Sequence, residues 1–261
     1  MRFDYFARKR WNALAFGAAL ILVTLAAVTI TEYNVVKGFT SIPEAIRWAV
    51  SNFYPNEKSL EKLPSIYDKL VETLLVSIAS TTVAAVFGFV FAMMGSQAMG
   101  VGGALAFVSR SIATLFRNID VAAWSMILLL SFGQNVLTGY FALFFGSFGF
   151  LTRAFMESID EISSSSVEAL RATGAGYLSV ICQSVIPSVI PQLLNWILFM
   201  VETNIRHATI VGILTGTGIG FSFTLYYKNL NYNAAALVVI VIVGTILLIE
   251  WISNYVRRLI L

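Results

Sequence analysis

From Trp11 to Thr31 the chain carries no charged residue, and from Ala234 to Ile252 only Glu250 interrupts an apolar run. Runs of this length match the roughly 20 residues needed to cross a bilayer's hydrocarbon core. A core buried in water-soluble protein would be patterned in short amphipathic pieces instead. Only 12% of the 261 residues are charged and 58% are hydrophobic, against about 25% charged in an average soluble domain. These blocks predict an all-α integral membrane protein.

Six spans are expected, at 11–31, 70–94, 104–116, 121–151, 185–214 and 234–252. The first is preceded by Arg8, Lys9 and Arg10, as a signal peptide would be. Its apolar run is about twice a signal's h-region, however, and it ends at Glu32-Tyr33-Asn34 without a small-residue cleavage site, so it reads as a retained helix. The same basic cluster, with Arg257 and Arg258 at the other end, predicts both termini in the cytoplasm. Residues 32–69 are then an external segment. Within it Ser41 and Glu44 form a capping box around Pro43. Ile42, Ala45, Ile46, Ala49, Val50 and Phe53 follow at helical spacing, as in a short helix lying on the membrane surface or packed against the bundle. Arg110 keeps the third span from being wholly lipid-facing. The fourth stretch is interrupted at Ser131-Phe132-Gly133-Gln134-Asn135 and reads as one long, broken or tilted helix. Thr215 to Asn233 is expected as an external connection.

Soluble chemistries find little support. A single Cys182 and a single His207 leave no His/Cys cluster for zinc. H-E-x-x-H, G-x-S-x-G and paired-Asp motifs are absent, so no enzyme is expected. The net charge of +3 reflects basic residues flanking spans rather than a nucleic-acid surface. Gly216-Thr-Gly-Ile-Gly lacks the Lys-Ser/Thr ending of a phosphate-binding P-loop, so any ATPase must be a separate chain. Gly212, Gly216 and Gly220 stand at G-x-x-x-G spacing, read here as a loop bend rather than a helix contact.

The longest polar stretch in the second half carries the most information. Ser165 and Glu168 form a capping box. A short helix stops at Gly174, which can adopt the positive φ of a C-cap, and a second restarts at Tyr177 and enters the fifth span through Pro187. A helix–turn–helix held between two spans suits docking of a soluble partner. The run Glu168-Ala169-Leu170-Arg171-Ala172-Thr173-Gly174, with Pro187 thirteen residues after the glycine, resembles the EAA loop of ABC-importer permeases. Leu170, Ser184 and Ile186 depart from that pattern. The resemblance implies a type I importer permease fold, with residues 158–187 as the cytoplasmic coupling loop. Glu168, Ala169, Arg171, Gly174 and Pro187 are its residues.

Glu202-Thr203-Asn204-Ile205-Arg206, followed by Ala208 to Gly212 and Gly216 to Gly220, is similar to the phosphonate-importer branch of these permeases. The similarity runs from about residue 64 to the C-terminus. One departure is Arg117-Asn118-Ile119-Asp120, where a proline is expected soon after the arginine. The resemblance implies transport of phosphonates or a related phosphorus oxyanion such as phosphite or phosphate. A methionine or metal-complex permease is the alternative. Implied partners are a second permease copy, two ATP-binding subunits that carry the ATP and Mg, an external substrate-binding protein and the bilayer of the bacterial cell membrane. No cofactor is expected in this chain. Arg117, Glu202, Asn204, Arg206 and His207 are the candidate pathway residues. Glu202 and Arg206, four apart on a helix, either form a structural ion pair or present positive potential to a passing oxyanion.

Overall fold

The computed structural model describes residues 2–99, 102–162 and 164–260. Every regular element among them is helical, as expected where backbone groups must find partners inside an apolar medium. The chain divides into two compact units, residues 1–53 and 54–261.

The first unit holds α1 (Arg2–Ile30), α2 (Val35–Thr40) and α3 (Ile42–Asn52). Asn34 caps α2, its side-chain oxygen accepting the Lys37 N–H at 2.9 Å. Ser41 does not cap α3, contrary to the capping-box expectation. Its hydroxyl donates back to the Lys37 carbonyl at 2.6 Å, because Ser41 already has helical φ and ψ. Pro43 still falls in the first turn of α3, where a missing N–H costs nothing.

The second unit contains the remaining helices: α4 (Glu57–Leu60), α5 (Leu63–Gly95), α6 (Gly103–Asn118), α7 (Val121–Phe132), α8 (Val136–Ile162), α9 (Ser164–Ala172), α10 (Tyr177–Val180), α11 (Ile186–Thr215), α12 (Gly218–Lys228) and α13 (Tyr232–Ile260). Its axis is the α5–α8 pair. α5 buries Ser77, Ser80, Thr81, Ala84, Ala85, Gly88 and Ala92. A stripe of small residues lets helix backbones close in on one another. A Cβ on Gly88 would stand 3.3 Å from the Thr152 backbone nitrogen of α8. Hydroxyls on this stripe bond to their own helix, Thr81 to the Ser77 carbonyl at 2.7 Å for example, so they are satisfied without water.

Among the described residues, five helical stretches are long and apolar enough to cross a membrane: Arg8–Ile30, Leu63–Gly95, Val136–Glu161, Tyr177–Thr215 and Tyr232–Leu259. A sixth unit is the pair α6 and α7, bent by 93°. The stretch 121–151 is thus two helices, parted at Gly133 with φ +72°, and its first half belongs with α6. Thr215–Asn233, expected as a connection, holds α12. α5 builds its N-terminus, for Thr73 Oγ1 accepts the Ile219 N–H at 2.9 Å and Glu72 accepts that of Gly218 at 3.2 Å. The glycines here make the expected bend and also the close helix contact that the sequence reading set aside. Gly216 ends α11 in the left-handed region at φ +71°. A Cβ on Gly220 would lie 1.9 Å from the Thr209 carbonyl oxygen, so α11 and α12 meet at backbone contact.

Candidate functional site

Two places gather the candidate functional residues. The first is the loop between α8 and α11. α9 ends in a Schellman turn: the Gly174 N–H bonds to the Arg171 carbonyl at 2.9 Å and the Ala175 N–H to Leu170 at 3.3 Å, with Gly174 at φ +83°. Glycine is favoured there because a Cβ strains the left-handed conformation. α10 restarts at Tyr177, and a π-helical turn, Ile181–Val185, joins it to α11. Pro187 supplies the reason: it has no N–H to give to Gln183, and its ring crowds that carbonyl, so the helix widens just before it. The Ser165 side chain, half of the expected capping box, lies outside the described residues.

Val167 is buried and Leu170 packs on the core around Phe155 and Val185. Leu170, one of the three departures from the EAA pattern, is therefore an inward-facing position. Glu168, Ala169, Ala172 and Gly174 are exposed. The loop is anchored from behind. The Arg171 guanidinium donates to the Met99 carbonyl, and Asp160 of α8 accepts from Ser96 Oγ at 2.5 Å and from the Ala98 N–H at 3.0 Å. Arg110, the charge inside the third apolar stretch, donates to the Gly95 carbonyl at 2.7 Å. The turn after α5 is thus held by three different helices. Sequence reading missed Asp160 and Ser96, since neither spacing nor charge marks them.

The second place is midway along α11, where the candidate pathway residues separate by helix face. Asn204 is fully buried. Its amide donates to Thr81 Oγ1 at 2.8 Å and Ser147 Oγ at 2.6 Å, joining α11 to α5 and α8. Glu202 turns to another face and takes hydrogen bonds from Arg206 and, at 3.5 Å, from Arg257 of α13. That is an ion pair holding α11 to α13, with Arg206 committed to it. Hydrogen bonds between membrane helices contribute about 0.6 kcal/mol on average and up to about 1.7. Asn204→Leu should therefore lower stability by about 1–2 kcal/mol, read as a lower Tm of the purified protein. An unchanged Tm with collapsed uptake would instead give Asn204 a direct part in transport.

Arg117 and His207 do come together. They line an open-sided cavity of about 330 Å³ with Asp120, Thr203, Phe150 and Phe199. A smaller one beside it shares Asp120, Val121 and His207. The α6–α7 elbow forms one wall. Asp120 caps α7, its carboxylate accepting the Ala122 N–H at 2.9 Å. This accounts for the missing proline, because an N-cap aspartate and an early proline are alternative ways to start a helix. The elbow is wedged by aromatics. Phe116 stacks on Trp124 at 5.2 Å and meets Phe148 edge-on at 5.5 Å. It also presses on α8 at two glycines. A Cβ on Gly149 would lie 2.4 Å from the Arg117 backbone nitrogen, and one on Gly146 would lie 2.5 Å from Val121 Cγ2. Asp120 just before an apolar run is a legible cap signal; nothing in the sequence marks Thr203 or the glycine seat.

Residues 75–261 match the family described as binding-protein-dependent transport system inner membrane component. The chain belongs to that family. It is accordingly a bacterial inner-membrane protein of the ABC-importer permease class, and the match covers the second unit from early α5 onward. Among curated relatives, the phosphite transport system permease protein PtxC of Stutzerimonas stutzeri is 29% identical over 189 residues, 72% of this chain and 69% of that one. The phosphate-import permease protein PhnE of Mycolicibacterium smegmatis is 29% identical over 191 residues, 73% of this chain. The alignment spans only 36% of that longer relative. In fold, the permease resembles the inward-facing MetNI methionine ABC transporter, with a TM-score of 0.61 and 21% identity over 76% of this chain and 98% of that one. A bacterial ABC transporter for alginate import aligns over 96% of this permease and 98% of its own chain, with a TM-score of 0.56 and 12% identity.

Proposed function

We propose that the chain is the membrane-spanning subunit of an ATP-driven importer that carries a phosphorus oxyanion (phosphonate, phosphite or phosphate) into the cell. The observation that carries this reading is the helix–turn–helix of α9 and α10 between two membrane-spanning helices, in a chain whose curated relatives bear phosphite and phosphate import names. The exposed edge of α9, with Glu168, Ala169 and Gly174, docks a separate ATP-binding subunit that holds the ATP and Mg. Two copies of the chain pair around one path, with both termini and the loop in the cytoplasm and residues 32–69 outside. An external binding protein delivers the solute. ATP binding closes the two ATPases, the loops transmit that closure, and the path opens outward. Hydrolysis resets it. This chain holds no cofactor and performs no bond chemistry.

The test is uptake by cells that express the chain with its cognate binding protein and ATPase, offered methylphosphonate, phosphite, phosphate and methionine separately. ATP-dependent accumulation of a phosphorus oxyanion that disappears with the chain supports the reading. Uptake of methionine instead keeps a permease and discards the cargo.

A further inference from the structure

The cavity at the elbow has a polar side and an apolar side. Arg117, Asp120, Thr203 and His207 supply the first; Phe150, Phe199 and Met200 supply the second. Its roughly 330 Å³ is at the low end of small-molecule sites, about 300–1,000 Å³. It lies well along the membrane-spanning length of α11, since Thr203 is about 18 Å from Thr215 by helical rise, and it opens at the surface of the chain, where Arg117 and Asp120 are exposed. Two polar atoms there, Thr203 Oγ1 and His207 Nδ1, are buried and have no hydrogen-bond partner among the described residues. A buried polar group left unpaired costs about 1–3 kcal/mol, so both atoms would gain a partner if the cavity wall relaxed around a bound polar group. Arg117 enters no ion pair among the described residues. The N-terminus of α7 opens on the same space, and half-helix N-termini deep in a membrane favour anions.

Asp120 gives the site its chemistry. One carboxylate oxygen is engaged by the Ala122 N–H. The other can only accept a hydrogen bond. An anion seated against that oxygen must therefore bring a proton with it. Phosphate and phosphonate retain a P–OH near neutral pH, whereas sulfate is fully ionised and would be repelled. Phosphonates also carry a carbon substituent, which the Phe150, Phe199 and Met200 side would cover.

We propose that this cavity is a transit site for a protonated phosphorus oxyanion bearing a small organic group. Asp120 accepts its P–OH, while Arg117, Thr203 and His207 face the other oxygens. This rests on the importer reading above and adds a place and a selection rule to it. Binding is weak, as a site that must release its cargo requires. The opposed charges of Arg117 and Asp120 serve that end.

The experiment is ³¹P line broadening of methylphosphonate by the purified permease–ATPase complex in nanodiscs, without binding protein, with sulfate as competitor. Wild type should broaden methylphosphonate more than inorganic phosphate, and excess sulfate should not relieve it. Arg117→Gln and the near-isosteric Thr203→Val should each reduce broadening several-fold. Asp120→Asn retains the cap, since asparagine caps as well as aspartate, and should admit sulfate as a competitor. Absence of broadening in wild type, broadening unchanged in both Arg117→Gln and Thr203→Val, or sulfate competing in wild type would each overturn the site. If cells still import phosphonate through this chain under any of those results, the importer reading survives without it. If they import none, that reading falls on its own account.

Discussion

Gly149→Ala is expected to reduce uptake at least about tenfold and to lower the yield of folded permease. The added Cβ would meet the Phe116 carbonyl carbon, the Arg117 nitrogen and the Arg117 Cα at 2.7, 2.4 and 2.9 Å. All three are backbone, so no rotamer change relieves the contact, and α6 or α8 has to move. Overpacking a tight interface costs about 1–3 kcal/mol. Here the displacement also carries Arg117 and Asp120 away from the cavity. Gly146→Ala should be milder, because its contact is the end of the Val121 side chain. Gly17→Ala, with nothing within 4 Å, is the control and should behave as wild type. Equal uptake across the series would show that the elbow is not seated as described.

The second large effect belongs to the coupling loop. Glu168→Lys and Gly174→Asp should each cut co-purification of the ATP-binding subunit by at least about tenfold, equivalent to about 1.4 kcal/mol of docking free energy. Glu168→Lys should leave the permease itself undisturbed, whereas Gly174→Asp also strains the turn at φ +83°. Glu168 is exposed, and a Cβ on Gly174 meets no atom within 4 Å. Aspartate visits the left-handed region more readily than most residues. A loss of ATPase with an unchanged Tm of the permease therefore locates the docking surface. Retained ATPase in both variants would remove the loop from that role.

The long apolar runs and the helix stop at Gly174 could be read from sequence because each depends on local chemistry: transfer to hydrocarbon in one case, a positive φ in the other. What could not be read depends on helix phase and on distant partners. Asn204 and His207 are three apart on one helix, yet one is sealed between α5 and α8 while the other lines a cavity. Periodicity gives their angular separation but not which neighbour each meets. Arg257 reads as a flanking charge of the last span and instead reaches Glu202 from the end of α13. The cavity draws on 117–121, 146–150 and 199–207, segments that no spacing rule links. α12 escaped because its first N–H groups are taken up by Glu72 and Thr73, far away in the chain.

The Asn204 amide is a pin through three helices. α5, α8 and α11 cannot slide along one another at that depth without breaking its bonds to Thr81 and Ser147, and Glu202 fastens α13 to the same body. In the proposed importer, a push arriving at the α9 edge would meet this tie as resistance to shear, and α5, α8, α11 and α13 would tend to answer it as one body.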